Sequence, residues 1–205
     1  MLKSYVQDSN RCSRRLRRAR HILYVSEHLP HNLPYEKVGN NEPVCIAGEV
    51  PFEIPDNWVW CRAQTVLSIF SGDGLTTKDM DDGIYPVYGG NGVAGYHSKF
   101  NVEKPTLVIG RVGFYCGSTH IAEKFAWVTD NAFITTFDES KIYIRWLKIL
   151  LDSLGLRNRS SSTAQPVISG KTIYLLLIPL PPLAEQNRIV RQIDKIMLII
   201  DNLSK

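Results

Sequence analysis

The chain has 205 residues, of which 44% are hydrophobic, and a formal net charge of +4. This length allows one ordinary domain with an appendage and excludes a second full domain. Because no run of 18 or more apolar residues occurs and the first residues lack an apolar signal segment, the sequence predicts a soluble protein without a membrane span.

The positive charge is concentrated at the amino terminus. Residues 1–26 contain seven Lys/Arg and one Asp, so the rest of the chain carries a net charge of −2. The run RCSRRLRRARH at residues 11–21 is compatible with phosphate binding or with an Arg-rich transit peptide, but its like charges favour a disordered or frayed helical tail. Any nucleic-acid contact made by residues 27–205 would therefore have to come from locally arranged side chains and backbone donors, because their net charge supplies no general attraction.

Short extended segments dominate the middle of the chain. Residues 28–55 are rich in Pro, Gly and Asn and predict an extended lead-in, and the body begins at Pro55. Regularly spaced β-like runs, separated by Gly and Asx residues, favour an α+β fold with a curled, mostly antiparallel sheet and peripheral helices. The runs are 57–61, 65–70, 84–88, 106–109, 112–116, 125–128 and 132–137, of which the first two also suit a short helix and a strand.

One helix is predicted after the last of these runs. Ser140 is its candidate N-cap, and Gly155 ends it. Apolar residues at helical spacing share one face of this segment, namely Ile142, Trp146, Ile149 and Leu150.

The segment YPVYGGNGVAGYH at residues 85–97 contains the pattern G-x-G-x-x-G from Gly90 to Gly95. A dinucleotide-binding loop requires such glycines between a parallel strand and a helix, with an acidic residue about 20 positions later. Here the following residues lack a helical apolar period, and Pro105 interrupts them. The sequence predicts a hairpin, with residues 89–91 supplying positive φ angles, and no bound cofactor.

Motifs of catalytic and metal sites are missing from the sequence. It has no G-x-S-x-G, H-E-x-x-H or P-loop pattern, and Pro181-Pro182 lacks the flanking residues of amino-methylating enzymes. The two histidines near glycine turns, His97 and His120, are more typical of solvated positions than of catalysis. The four cysteines are too widely spaced for a zinc motif and favour idle thiols in a reducing cytosol. We therefore expect a cytoplasmic protein with no catalytic residue and no metal.

The carboxy-terminal segment predicts a long amphipathic helix. Pro182 suits its first position, and Glu185 complements the helix dipole. Packing against the chain's own domain is one interpretation, but the additional apolar residues 197–199 favour an interface with a partner. The seam of this interface has the alternating spacings of a coiled coil and consists of Ile189, Ile193, Ile196, Ile200 and Leu203.

Four segments carry a resemblance to a known family. They are IPDNWVW at 54–60, YPVYGGNGVAGY at 85–96, VIGRVGFYCG at 108–117 and WVTDNA at 127–132. In this order they resemble the target-recognition domain of a specificity (S) subunit of a bacterial Type I restriction-modification system. The segment QPVISGKTIYLLLIPLPPLAEQNRIV at 165–190 resembles the junction into that family's spacer helix.

The resemblance implies a non-catalytic reader of double-stranded DNA. Family members hold two recognition domains apart with paired helices, which also dock two methyltransferase (M) subunits and through them restriction (R) subunits. This chain has one such domain, so the resemblance implies a half subunit, a truncated gene product or a fragment that could form a homodimer. The expected organisation is a basic tail and lead-in at 1–54, a DNA target-recognition domain at 55–179 and a coiled-coil-type spacer helix at 180–205.

Under this resemblance, the polar turns are the candidate DNA contacts. Glycine turns let backbone N–H groups approach phosphates, and neighbouring side chains meet base edges. Arg111, between two β-like runs, has the planar fork that suits a guanine or a phosphate. Most of the other candidates lie in three polar turns. The first consists of Gly89, Gly90, Asn91 and Gly92, bracketed by Tyr88 and Tyr96; the second of Gly117, Ser118, Thr119 and His120; and the third of Arg157, Asn158, Arg159 and Ser160. Lys78 and Lys124 are additional candidates.

Two other functions stay open at this point. A regulatory or remnant protein would bind the methyltransferase through the terminal helix without reading DNA. A methyltransferase or nucleotide enzyme would require the GNGVAG turn at 90–95 to contact a small ligand.

Overall fold

The computed structural model describes residues 21–25 (backbone only), 34–38, 40–160 and 166–204. The arginines of the basic run at 11–20 lie outside the described residues, so the predictions for that tail stay predictions. The strands are β1 (His21–Val25), β2 (Pro34–Val38), β3 (Val44–Cys45), β4 (Val59–Arg62), β5 (Leu67–Ser71), β6 (Tyr85–Gly89), β7 (Gly92–His97), β8 (Thr106–Gly110), β9 (Thr119–Ala122), β10 (Trp127–Val128), β11 (Ala132–Phe137) and β12 (Leu177–Leu180). The α-helices are α1 (Ile144–Ser153), α2 (Gly170–Tyr174) and α3 (Leu183–Leu203).

The strands form small, mostly antiparallel sheets, as the sequence predicts for an α+β fold. The central sheet has the order β5-β11-β8-β9, with every pair antiparallel. A second sheet consists of the β6–β7 hairpin with β10 added in parallel to β6. Strands β1 to β3 form a third sheet, and β12 pairs with β4 to connect the segment before α3 to the start of the body.

Strand β8 lies at the centre of the core because both of its faces are covered. Leu107 and Ile109 belong to the larger apolar cluster, which contains α1 residues such as Leu147. Val108 points the other way into a smaller cluster with Val128 and other residues near the second sheet. A strand buried on both faces is continuously apolar, which explains the sequence TLVIG.

The lead-in before Pro55 is attached to the body through Arg62. Its guanidinium donates to the carboxylate of Glu36, with Nη2 to Oε2 at 2.7 Å, and pairs with Glu49 at 2.9 Å. The hydrogen bond from Arg62 to Glu36 raises the pKa of the guanidinium further above its ordinary value. The lead-in is thus extended, as predicted, but it contains β2 and β3 and packs on the domain.

Several element boundaries differ from the sequence prediction. Residues 112–116, predicted as a strand, form a turn with a single β-bridge at Val112. The segment from Thr119, predicted as part of a polar turn, is strand β9. Helix α1 begins at Ile144 instead of next to Ser140, because the Asp138 carboxylate accepts hydrogen bonds from the Ser140 N–H and hydroxyl and holds a turn before the helix.

Helix α3 begins after Pro182, which is its N-cap and not its first helical residue. Its second turn is anchored by the fully buried Gln186, whose side chain accepts from the N–H of Tyr143 at 2.8 Å and donates to the carbonyls of Lys141 and Pro181. In the described part of the chain, no helix has both the length and the apolar character to cross a bilayer.

Candidate nucleic-acid interface

The tip of the β6–β7 hairpin lies against the end of the β8–β9 hairpin. The Ser118 hydroxyl donates to the carbonyl of Gly90 at 2.7 Å. A Cβ at Gly110 would lie 2.3 Å from the same carbonyl, so only glycine permits this approach. The prediction of positive φ angles at residues 89–91 is wrong: in this hairpin the positive φ belongs to Gly92, at +88°, where a Cβ would lie 3.2 Å from the His120 ring. Gly90 and Gly92 of the G-x-G-x-x-G pattern therefore lie at a contact between two hairpins, whereas a Cβ at Gly95 would meet Met80. The pattern leads into strand β7, not into a helix.

Arg111 follows β8 at the edge of this contact. Its N–H donates to the carbonyl of Asn131 at 2.9 Å, which fixes the backbone beside the neighbouring turn. Its guanidinium donates to the Ser71 hydroxyl at 3.3 Å and lies 5.4 Å from the centroid of the Phe133 ring. The side chain is half-buried, so part of its planar fork remains available to an external acceptor.

The third polar turn, a 3-10 helix at Leu156–Arg159, packs directly on the second. Gly117 has φ of +84°, and a Cβ there would lie 2.6 Å from the backbone nitrogen of Arg157. The Arg157 guanidinium carbon lies 3.9 Å from the centroid of the Phe114 ring. Asn158 and Arg159 are exposed, and Ser160 is half-buried. The three turns predicted from the sequence thus meet in one surface, which we call the turn surface and define by its unburied residues: 89–91, 111, 114, 115, 118, 120 and 157–160.

An acid behind the turn surface, Asp152, is paired with neighbouring side chains. The Asp152 carboxylate accepts hydrogen bonds from the Thr119 hydroxyl and from the Lys148 ammonium, the latter at 2.7 Å. Burial, and secondly the charge of Lys148, lowers the pKa of His120 below its ordinary value of 6.5. His120 is therefore neutral at pH 7, with one ring nitrogen a donor and the other an acceptor, and its Nε2 lies 3.4 Å from the Ser118 hydroxyl.

Not every candidate belongs to this surface. Tyr88 is buried in the smaller apolar cluster, and Thr119 is buried with its hydroxyl bonded to Asp152, so neither side chain is exposed to a duplex. Gly92 is also buried, beneath His120. These three residues support the turns, although the sequence groups them with the contacting residues.

Three further candidates lie at the other end of the β6–β7 hairpin or beside it. Tyr96 is exposed and pairs with Pro86, and the Lys124 ammonium lies 6.0 Å from the ring of Phe125, which packs on Tyr85. Lys78 is exposed in the loop that precedes β6. The same loop contains Asp79, Asp81 and Asp82, so this end of the hairpin carries acidic groups that repel phosphates.

The sequence prediction missed the aromatic residues of the turn at 113–117. Phe114 and Tyr115 are exposed and contact each other edge to face. The usable signal was two aromatic residues between Gly113 and Gly117, in a segment too rich in glycine for a core strand. Among the described residues, no group of three His, Cys, Asp or Glu side chains is arranged to hold a metal ion.

The predicted seam of α3 divides into two parts. Ile189 and Ile193 are half-buried, and Ile189 packs against the main apolar cluster. Ile196, Ile200 and Leu203 are 55%, 51% and 82% exposed, respectively. The helix is observed, and the apolar side chains of its carboxy-terminal part, at 196–200 and 203, are exposed; we call this part the exposed strip. The paired, coiled-coil arrangement stays a prediction.

Comparison with known proteins supports the family resemblance that the sequence motifs carry. The sequence profile described as the Type I restriction modification DNA specificity domain matches residues 55–205. The EcoprrI specificity subunit of Escherichia coli is 25% identical over 135 residues, which cover 66% of this chain and 33% of that subunit. The EcoDI specificity subunit of Escherichia coli is 27% identical over 176 residues, with 77% of this chain and 38% of that subunit covered.

A solved structure shares the fold. The S subunit of a Type I restriction-modification system from M. genitalium superimposes with a TM-score of 0.61 at 20% identity, over 75% of this chain and 43% of that one. The chain thus spans well under half the length of these relatives. Because the family profile extends over most of the chain and the motifs lie within it, the chain belongs to the Type I restriction modification DNA specificity domain family.

Proposed function

We propose that the chain reads one half of a bipartite DNA target within a Type I restriction-modification complex, in the bacterial cytoplasm. One observation carries the proposal: three polar turns, far apart in the sequence, meet in the turn surface through contacts such as Ser118 to Gly90 and Gly117 to Arg157. A rigid platform of turns presents backbone donors to phosphates and side chains to base edges at the same time.

Within this proposal the residues of the turn surface have distinct tasks. Arg111, Arg157 and Arg159 supply positive charge for phosphates or guanines. The neutral His120 and the amide of Asn91 supply hydrogen bonds to base edges, since neither adds a charge that would attract all sequences equally. Specificity then depends on the neutral groups, and much of the affinity depends on the arginines.

The chain acts without chemistry of its own in this proposal. Names of its relatives describe specificity subunits, and methyl transfer belongs to a separate methyltransferase subunit, with restriction subunits joining through it. The exposed strip of α3, residues 196–203, supports docking to such a subunit or to a second copy of the chain, because its apolar side chains are unburied in this chain alone.

A selection from randomised duplexes tests the reading function. The chain, alone and with the methyltransferase of its own system, should enrich one short sequence block. Arg111→Ala should weaken binding to the enriched duplex about tenfold or more. Lys124→Ala, at the acidic end of the hairpin, is the matched control and should bind as the unmodified chain does. Failure to enrich any sequence in either format contradicts the proposal.

A second function is favoured by the exposed strip of α3 alone. A regulatory protein that binds the methyltransferase without reading DNA would need only residues 196–203. It predicts tight methyltransferase binding together with no duplex preference, so the same selection separates the two functions. Ligand binding at the GNGVAG turn is disfavoured, because Gly92 and Gly95 are covered by His120 and Met80.

A further inference from the structure

Two adjacent aromatic side chains project from the turn at residues 113–117. Phe114 is 64% exposed and Tyr115 is 48% exposed, and their ring centroids are 5.1 Å apart. Large aromatic rings stabilise a fold mainly through burial, and these two contribute little in that way. A neighbouring pair on one turn therefore indicates contact with another molecule, unlike a single exposed apolar residue.

The backbone of this turn is held at both ends. The N–H of Gly113 donates to the carbonyl of Pro166 at 2.9 Å, and the N–H of Cys116 donates to the carbonyl of Gly113 at 2.9 Å. Cys116 is fully buried, and Gly117 is pressed against Arg157. The rings are thus presented from a fixed support.

Phe114 has a cationic neighbour from another element. The Arg157 guanidinium carbon lies 3.9 Å from the ring centroid, a distance at which the planar cation and the ring attract each other. A guanidinium held over a ring keeps its in-plane N–H groups available to a further acceptor. The salt bridges found among the described residues do not include Arg157.

We propose that Phe114 is a positioning residue for DNA binding, which holds the Arg157 guanidinium in place to contact a phosphate of duplex DNA. The proposal rests on the proposed reading function and adds the phosphate-contacting element. Charge complementarity identifies the occupant: Arg157 and Arg159 lie on one exposed turn, and Asp152, the acid bonded to Thr119 behind it, is paired with Lys148. Ordering Arg157 before binding lowers the entropy lost when the contact forms.

The test measures the dissociation constant of a labelled random-sequence duplex over a series of salt concentrations, with the full chain assembled on its methyltransferase. Arg157→Ala should reduce the slope of log affinity against log salt by about 0.9, the value for one lost phosphate contact. Phe114→Leu should weaken binding roughly threefold to tenfold without changing that slope, since the charge remains. Phe114→Tyr, which keeps a ring, should restore binding.

Two comparisons separate positioning from simple structural damage. Phe52 is also exposed and packs on Trp60 at 5.1 Å, so Phe52→Leu should leave both affinity and slope unchanged. In an Arg157→Lys background, Phe114→Leu should have almost no further effect, because the planar stacking partner is gone. All variants should unfold at the same temperature as the unmodified chain.

The outcomes distinguish the positioning role of Phe114 from the proposed DNA-reading function. If the unmodified chain binds the duplex with a salt-dependent affinity but Phe114→Leu binds equally well, the positioning role is wrong and the reading function stands. The same holds if Phe114→Leu weakens binding equally in the Arg157→Lys background. If the unmodified chain in its complex shows no salt-dependent duplex binding, both proposals are wrong.

Discussion

The two halves of α3 differ in what surrounds them, although both have the same apolar pattern. In residues 183–193, Gln186 and Val190 are buried, and Ile189 packs against the main apolar cluster. In residues 194–203 every side chain is exposed. The Arg145 guanidinium and the Asp194 carboxylate, 2.8 Å apart, join α1 to α3 at the boundary.

This difference shows what helical periodicity predicts and what it does not. Apolar residues at alternating spacings of four and three positions identify the side of a helix that faces an apolar neighbour. It does not say whether that neighbour is the chain's own domain or another molecule. The apolar residues of the first half pack against the chain's own domain. Those of the second half are exposed in this chain, so only a partner can bury them.

The largest expected effect comes from removing the polar anchor of the first half. Gln186→Ala leaves the N–H of Tyr143 and the carbonyls of Lys141 and Pro181 without their hydrogen bonds in a buried site. We expect the free energy of unfolding to fall by about 3 kcal/mol, measured by urea denaturation. Gln192→Ala, on an exposed position of the same helix, is the control and should change it by less than about 0.5 kcal/mol. Equal effects of the two substitutions would mean that the first half is not anchored as described.

The next effect concerns the second half and should leave stability unchanged. Combining Ile196→Asp with Ile200→Asp places two charges on the exposed strip, which disrupts an apolar interface but costs the isolated chain little. We expect binding to the methyltransferase, or self-association, to weaken at least tenfold, which is about 1.4 kcal/mol, in analytical ultracentrifugation. The unfolding free energy should stay within about 0.5 kcal/mol of the unmodified value.

Asp substitution at Ile189 provides the contrast within the same seam. Because Ile189 packs on the main cluster, Ile189→Asp should destabilise the fold, whereas the exposed pair should not. Unchanged assembly in the variant with both exposed substitutions would exclude the strip as the interface.

Local sequence features predicted most of the elements but not their contacts. The hairpin at 89–91, the α+β class and a helix ending near Gly155 follow from glycine positions and apolar spacing, and Gly155 indeed has φ of +57°. The strand predicted at 112–116 is wrong, because its apolar residues suggested a strand where two glycines at positive φ, Gly113 and Gly117, require a turn. The polar turn predicted at 117–120 is wrong from Thr119, where strand β9 begins. Helix α2 has only five residues, too few for a periodic pattern.

The turn surface itself required tertiary information. Each polar turn is visible in the sequence, but the meeting of Gly90 with Ser118 and of Gly117 with Arg157 depends on sheet order. Burial also separates the residues that support the turns from those that can contact DNA. Tyr88 and Thr119 belong to the supporting residues, although in the sequence they are similar to their exposed neighbours. Gln186 is another example, because a polar residue on a helix is usually solvated and only packing assigns it three buried partners.

The smallest expected effect lies at the boundary between the two halves. A double-mutant cycle with Arg145→Ala and Asp194→Ala should give a coupling free energy of about 0.5 kcal/mol, since both side chains are close to half exposed and water screens their attraction. Hydrogen bonding to Asp194 raises the pKa of Arg145, so the guanidinium stays charged at neutral pH. The coupling should shrink in high salt.

The matched control for this cycle is the pair formed by Glu185 and Arg188, which lies within α3. The coupling free energy between Glu185 and Arg188 depends only on helix formation in α3. The coupling free energy between Arg145 and Asp194 also requires α3 to lie on α1. If the coupling of Arg145 to Asp194 is zero while that of Glu185 to Arg188 persists, α3 is helical at its start but is not held on α1 at residue 194. The boundary would then lie nearer to Val190, and the strip open to a partner would be one turn longer, including Ile193.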